Sequence, residues 1–207
     1  MSVTPRRLLV VGLGNAASAS YRLTRHSLGQ LVVEQMARAH GQNIAIDHRI
    51  RGLHGVQALE LSPDETVDLC FFVPPTLMNV CGPAVARAMR AMLPNGTRDA
   101  SSLIVLHDEL EFKPGKVTHR LGGSAGGHNG LASIRTSIGS ADFWRVRLGI
   151  GRSESREPRD VASYVLRPLS SPEVADASVV KGEPGAVLTL AGNALRSIAL
   201  ATRPAAE

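Results

Sequence analysis

Aromatic residues are scarce, with one Trp, two Tyr and four Phe in 207 residues. A surface that stacks nucleic-acid bases on aromatic rings needs more of them, so any contact with nucleic acid has to run through backbone phosphates. Cysteine is scarcer still, limited to Cys70 and Cys81. Two thiols cannot build a zinc knuckle or a disulfide framework, and both stand among apolar neighbours, as buried thiols in a reducing compartment do. The run from Leu69 to Ala86 carries no charge, but Pro74, Pro75, Pro83 and Asn79 interrupt it. It is not a membrane span. Only six residues precede the first apolar run, too few for the hydrophobic stretch of a secretory signal, and an intracellular protein is expected.

What is present is globular. Hydrophobic residues make up 43% and charged residues 20%, the balance of a chain that buries a core. Twenty-three Lys and Arg against 18 Asp and Glu leave a net charge of +5, which suits a polyanionic partner without requiring one. Short branched runs at Leu8 to Val11, Val67 to Val73 and Ser102 to His107 read as buried strands, and Asn43 to Ile50 with Leu53 to Leu61 read as a strand pair around Arg51-Gly52. Trp144 to Ile150 alternates as a further strand. Helical spacing runs from about Ser27 to Ala39 with Gly41 as its stop, and from Asn79 to Leu93 with Pro94-Asn95-Gly96 as its turn. It returns from about His128 to Ile138, after Asp160, from Ser171, and beyond the Gly182 to Gly185 break to about Leu200. Strands and helices interleave without repeats or linkers. The expected fold is therefore one α/β domain across residues 1–207, a mixed, mostly parallel twisted sheet with helices on both faces.

In such sheets ligands lie beyond the strand C-terminal ends, where this sequence collects polar residues: Asn15 to His26, Pro75 to Asn79 and His107 to Glu109. Gly12-Leu13-Gly14 imitates a dinucleotide-binding turn, yet helical periodicity starts more than a dozen residues too late. Gly122-Gly123-Ser124-Ala125-Gly126 imitates a nucleophile elbow, yet no histidine follows His128 to complete a triad. The glycine bend reads better as backbone that approaches a ligand, and a serine esterase using Ser124 ranks below it. His107-Asp108-Glu109, with His26 and His128 elsewhere, suggests a metal hydrolase, but along an extended segment His107 and Glu109 share one side and Asp108 faces the other. Each side then offers too few ligands for a catalytic zinc. A simpler pair remains: His26 on a polar loop and Asp108 at a strand end. An imidazole takes a proton from water near neutrality, and a carboxylate on its other nitrogen fixes the tautomer and stabilises the imidazolium. Asn15, Asn79 and Asn129 supply neutral amides that align a water, hold a peptide backbone and donate to an oxyanion.

Val11-Gly12-Leu13-Gly14-Asn15, Tyr21, Thr24-Arg25-His26, Pro75-Thr76-Leu77-Met78-Asn79, His107-Asp108-Glu109-Leu110, Leu121-Gly122-Gly123, Gly126-Gly127-His128-Asn129-Gly130-Leu131 and Arg147-Leu148-Gly149-Ile150-Gly151 occur in one order from about Arg7 to Leu166. In order and approximate spacing the chain resembles the bacterial-type peptidyl-tRNA hydrolases. The resemblance implies a monomeric, cytoplasmic enzyme, or in a eukaryotic cell one associated with mitochondria. It would use no cofactor and no metal and engage no membrane, and it would hydrolyse the ester between a peptide and the 3′ ribose of tRNA. It further implies His26 as the base, Asp108 as its orienter, and Asn15, Asn79 and Asn129 at the peptidyl-adenosine end. Tyr21 and Met78 would line the pocket, and Arg120 and Arg147 would hold a tRNA phosphate. Ser27, Leu77, Cys81, Ser124-Ala125 and the Gly182 to Gly185 segment depart from the family pattern. A tRNA- or RNA-binding module without catalysis is the reading from another class.

Overall fold

The computed structural model describes residues 6–39, 45–50, 52–94, 99–180 and 182–203. Gly41, Asn43, Arg51 and Asn95-Gly96, named above as helix stop, strand start and turn residues, lie outside them. Seven strands, β1 (Arg6–Gly12), β2 (Ala45–Asp47), β3 (Gly52–Ser62), β4 (Glu65–Val73), β5 (Leu103–Glu109), β6 (Val117–Leu121) and β7 (Trp144–Gly149), form one sheet in the order β2-β3-β4-β1-β5-β7-β6. The central strands β4, β1, β5 and β7 run parallel, whereas β2 and β3 on one side and β6 on the other pair antiparallel.

Alternation along the strands divides the core in two. Leu8 and Val10 of β1 with Ile104 and Leu106 of β5 pack under helices α1 (Leu28–Ala39) and α6 (Ala186–Ala201). Leu9 and Val11 with Leu103 and Val105 pack under α2 (Gly82–Met92) and α3 (Asn129–Ile138). Because both sheet faces are covered, these strands are apolar throughout instead of alternating with polar residues. The chain leaves β1 toward α1 on one face and leaves the adjacent β4 toward α2 on the other. Neighbouring strands whose connections diverge open a crevice at their C-terminal ends.

The Gly12-Leu13-Gly14 motif serves packing. A Cβ on Gly29, in the first turn of α1, would stand 2.2 Å from the Leu106 carbonyl oxygen, and one on Gly12 would stand 2.6 Å from the Gly29 carbonyl oxygen. Helix α1 thus rests on bare backbone. The contact is sealed by hydrogen bonds from Leu13 N–H to Leu106 O (3.0 Å) and from Gln30 N–H to Leu13 O (2.8 Å).

Helix starts differ from the sequence spacing where proline is involved. A 3-10 turn, Met78–Val80, precedes α2, which begins at Gly82 with Pro83 in its first turn. Helix α4 (Pro158–Val165) begins before Asp160 because Pro158 fits a first-turn position, where an amide hydrogen has no helical acceptor. Helix α5 (Ser171–Asp176) carries a reciprocal cap between Ser170 and Glu173. Strand β9 (Glu183–Pro184), inside the segment read as a break, pairs with β8 (Val179–Val180) just ahead of it, both being too short to show a period.

Replacing Gly29 with Ala should cost about 1–3 kcal/mol, since the added methyl meets backbone and not a movable side chain. A urea titration with the wild-type midpoint would refute so close an approach.

Candidate active site

Strand β5 ends in His107, Asp108 and Glu109, and the loops after β1 and β4 converge on that end. A cavity of about 770 Å³ opens there, bordered by Asn15, Tyr21, His26, Met78, Asn79 and Asn129 among others. All seven residues expected at the reaction centre and peptide end line it, Asp108 included. His107 and Glu109 line it too, because the cavity wraps the strand end and strand alternation does not divide its wall.

His26 sits in a 3-10 turn, Arg25–Ser27, directly ahead of α1. Its Nδ1 lies 3.0 Å from each carboxylate oxygen of Asp108. An ionised carboxylate only accepts, so Nδ1 carries the hydrogen and Nε2 keeps the lone pair in the neutral ring. From the other face of the sheet, His128 caps α3 with Nδ1 accepting from Leu131 N–H, and its Nε2 donates to Asp108 Oδ1 at 3.0 Å. Asp108, 5% exposed, therefore stands between two imidazoles. Burial opposes its negative charge, but His128 and His26 prevail and hold the carboxyl far below the usual range. For His26 burial opposes the cation, yet the charge and hydrogen bond of Asp108 outweigh it and raise the imidazole above its ordinary value. His107 donates Nδ1–H to the Asp108 carbonyl at 2.7 Å. Burial and the neighbouring His128 push His107 down to about 3, so its ring is neutral, and its buried Nε2 has no hydrogen-bond partner among the described residues.

The amides differ in how they are held. Asn15 Oδ1 accepts from Met78 N–H at 2.9 Å, which turns the carboxamide NH₂ free as a donor. Asn79 and Asn129 are exposed on the cavity wall. Ser27 is fully buried; its hydroxyl donates to Tyr21 O at 2.7 Å and accepts from Asn15 N–H at 3.1 Å. It braces the loops instead of facing a peptide. Leu77 lines the cavity, and Cys81 is buried with its thiol pushed up to about 11 by burial. Ser124 Oγ accepts from Gly126 N–H, and among the described residues no imidazole is hydrogen-bonded to it.

Two groups hold places that the sequence reading did not give them. His128 supplies a third ligand type beside His26 and Asp108, all three ligand atoms lying within 4.8 Å of one another. This corrects the count of too few metal ligands, which followed one strand and missed a helix cap from the opposite face. Each nitrogen is nevertheless 3.0 Å from Oδ1 and donates a hydrogen bond to it, so both imidazoles would have to give up that bond and its hydrogen before their lone pairs could point at a shared ion. The second is Arg145, 4% exposed, whose guanidinium donates to the Gly123 and Ser124 carbonyls and holds the glycine bend. Arg120 stands opposite Arg145 across β6 and β7, and Arg147 follows two residues on, on the same side. Burial, then Arg120 and Arg147, depress the pKa of Arg145. A positive strip borders the cavity.

The His26 turn is clamped from the C-terminal third of the chain. Arg25 donates to Glu173 at 3.1 Å and to Pro168 O at 3.3 Å, and lies 5.0 Å over the Tyr164 ring. Glu173 also accepts from Ser170 N–H at 2.7 Å. Glu173→Ala removes the clamp and half of the α5 cap together, and should lower stability by about 1–3 kcal/mol in a denaturant titration. No loss would show the clamp to be incidental.

Residues 9–199 match the family model described as "Peptidyl-tRNA hydrolase". A peptidyl-tRNA hydrolase of Cupriavidus pinatubonensis (strain JMP 134 / LMG 1197) is 38% identical over 170 residues, covering 77% of this chain and 78% of that protein. The crystal structure of peptidyl-tRNA hydrolase from Acinetobacter baumannii superposes with a TM-score of 0.69 at 29% identity, covering 96% of this chain and 97% of that one. A peptidyl-tRNA hydrolase crystallised with N-propanol gives a TM-score of 0.69 at 28% identity, over 96% and 97% of the two chains. The family model spans most of the chain and the fold is that of the solved relatives, and the chain belongs to the peptidyl-tRNA hydrolase family.

Proposed function

We propose that the chain hydrolyses the ester joining a peptide to the 3′ oxygen of the terminal ribose of tRNA, with His26 as the general base. The observation that carries this reading is the Nδ1 hydrogen bond of His26 to Asp108, which leaves Nε2 as the basic nitrogen of a cavity-lining residue. Nε2 takes a proton from water as the water oxygen attacks the ester carbonyl. Asp108 stabilises the imidazolium so formed, and His128 and the His107 contact to its main chain keep the carboxylate from turning away. The developing oxyanion draws on carboxamide hydrogens, for which Asn15 is prepared because its oxygen is already engaged by Met78. Asn79 and Asn129 hold the peptide and adenosine ends. Collapse breaks the bond to the ribose oxygen, which recovers the proton from His26. Peptide acid and free tRNA leave.

Tyr21 and Met78 form the apolar wall beside the ester, and Arg120 with Arg147 hold a phosphate of the tRNA body. The reading includes a monomer in the cytoplasm without a cofactor. Among the described residues, no helix is long and apolar enough to cross a membrane.

Purified protein should cleave N-acylated aminoacyl-tRNA in excess chelator and cleave the free aminoacyl form far more slowly. His26→Ala should reduce turnover by about 10²- to 10⁴-fold. Activity lost to chelator and restored by zinc would sink the metal-free mechanism, and unchanged turnover would reassign the base.

The pH dependence follows from the sign of the His26 shift. Its folded value lies above the ordinary imidazole value, so kcat/KM should rise with pH through a limb displaced upward. Asp108→Asn removes the raising charge and leaves burial unopposed. The limb should move to lower pH while the plateau falls. A limb that stays in place would mean that another group titrates.

A further inference from the structure

The turn from Phe112 to Lys116, between β5 and β6, lies beside the positive strip and is held as firmly as the sheet. Gly151 N–H donates to Phe112 O at 2.7 Å, Gly149 N–H to Lys116 O at 2.8 Å, and Lys116 N–H to Lys113 O at 3.1 Å. A Cβ on Gly149 would stand 2.2 Å from the Lys113 carbonyl oxygen, so turn and strand end touch backbone to backbone. This platform presents a ring with two cations on it: Lys116 Nζ lies 4.4 Å and Arg147 Cζ 4.5 Å from the Phe112 centroid.

The neighbouring carboxylates are already committed. Glu109 lies 3.8 Å from Arg147 and Glu111 pairs with Arg152. Lys113 and Lys116 are both exposed, and among the described residues neither makes an ion pair. Two like charges gathered at one ring repel each other. The electron-rich face offsets part of that repulsion, and an anion set between them would offset more.

We propose that Lys116 and Arg147, flanking Phe112, form a second site for the sugar–phosphate backbone of the tRNA, with Lys113 extending its field. The assignment rests on the peptidyl-tRNA reading above and deepens it. Continuity selects RNA over other polyanions. Arg147 belongs both to the β7 strip beside Arg120 and to this turn, and its partner Glu109 lines the cavity. A strand whose 3′ end enters the cavity is therefore within reach of both the strip and the turn. With seven aromatic residues in the chain, phosphate contact and not base stacking supplies the affinity.

The test compares wild type, the double variant Lys113→Ala/Lys116→Ala, the charge-keeping Lys113→Arg/Lys116→Arg and the reversal Lys116→Glu. Dissociation constants for deacylated tRNA are measured across a salt series by filter binding. The double Ala variant should bind more weakly and lower the slope of log Kd against log salt by about one to two, about one for each phosphate that is no longer neutralised. Lys116→Glu should weaken binding further, and the Arg variant should retain the wild-type slope. The preference in kcat/KM for a full-length substrate over a short N-acylaminoacyl-adenosine should fall in parallel. Wild-type slope and affinity in the Ala double variant would overturn the proposal. So would a loss confined to vesicles containing phosphatidylserine. Because deacylated tRNA carries no ester, this binding result stands apart from the hydrolysis assay, and failure of wild type to cleave peptidyl-tRNA would instead strike the catalytic reading.

Discussion

A single carboxylate organises the centre of this molecule. Asp108 is buried at the end of a central strand, and its charge is tolerable only because His26 and His128 hydrogen-bond to it from opposite faces of the sheet. Helix α1 and the turn before it must therefore sit close against β1 and β5, which Gly12 and Gly29 permit. Helix α3 must likewise begin at His128, so that its capping residue reaches across the strand end. Removing any of these placements leaves a buried charge with fewer partners. The geometry of the cavity and the stability of the fold share the same atoms.

That economy explains why residues with no contact to the cavity matter. Ser27, which departs from the family pattern, ties the Tyr21 loop to the Asn15 backbone, and Asn15 in turn ties itself to Met78. Two connections, β1 to α1 and β4 to α2, are thereby locked through one buried hydroxyl and one carboxamide. Arg25 and Glu173 extend the bracing to α5, so the C-terminal third stabilises a turn it does not chemically assist. Preorganisation of this kind keeps the His26 imidazole and the Asn15 carboxamide in place before any ligand arrives.

Around this buried, internally paired centre runs a rim of arginines and lysines whose charges mostly point outward. The contrast suits a substrate with one small reacting bond and a long polyanionic body. Arg145 is the exception on the rim: it is buried and spent on the glycine bend, so it shapes the border that Arg120 and Arg147 present.

Much of the fold was legible because covered strands are apolar and helices keep a period of 3.6, local properties that survive without knowledge of neighbours. The parallel centre of the sheet, the glycine bend and the pairing of a loop histidine with a strand-end acid could all be expected on those grounds or from the motif order. The start at Pro158 was displaced because a proline in the first turn still belongs to the helix, and the start before Pro83 because a proline has no amide hydrogen to donate further in. The β8–β9 pair was invisible for lack of length. His128 was weighed as a metal ligand and set aside, since nothing in the spacing of residues 107–109 and 128 says that a helix cap on one face reaches a carboxylate whose strand neighbours face the other. By itself the sequence determined an α/β domain, a basic exterior and the kinds of side chain that meet beyond the strand ends. Only the tertiary structure decided that Asp108 has two imidazole partners, that Ser27 is a brace and that two cations share Phe112, because such contacts depend on how separate elements are brought together in space.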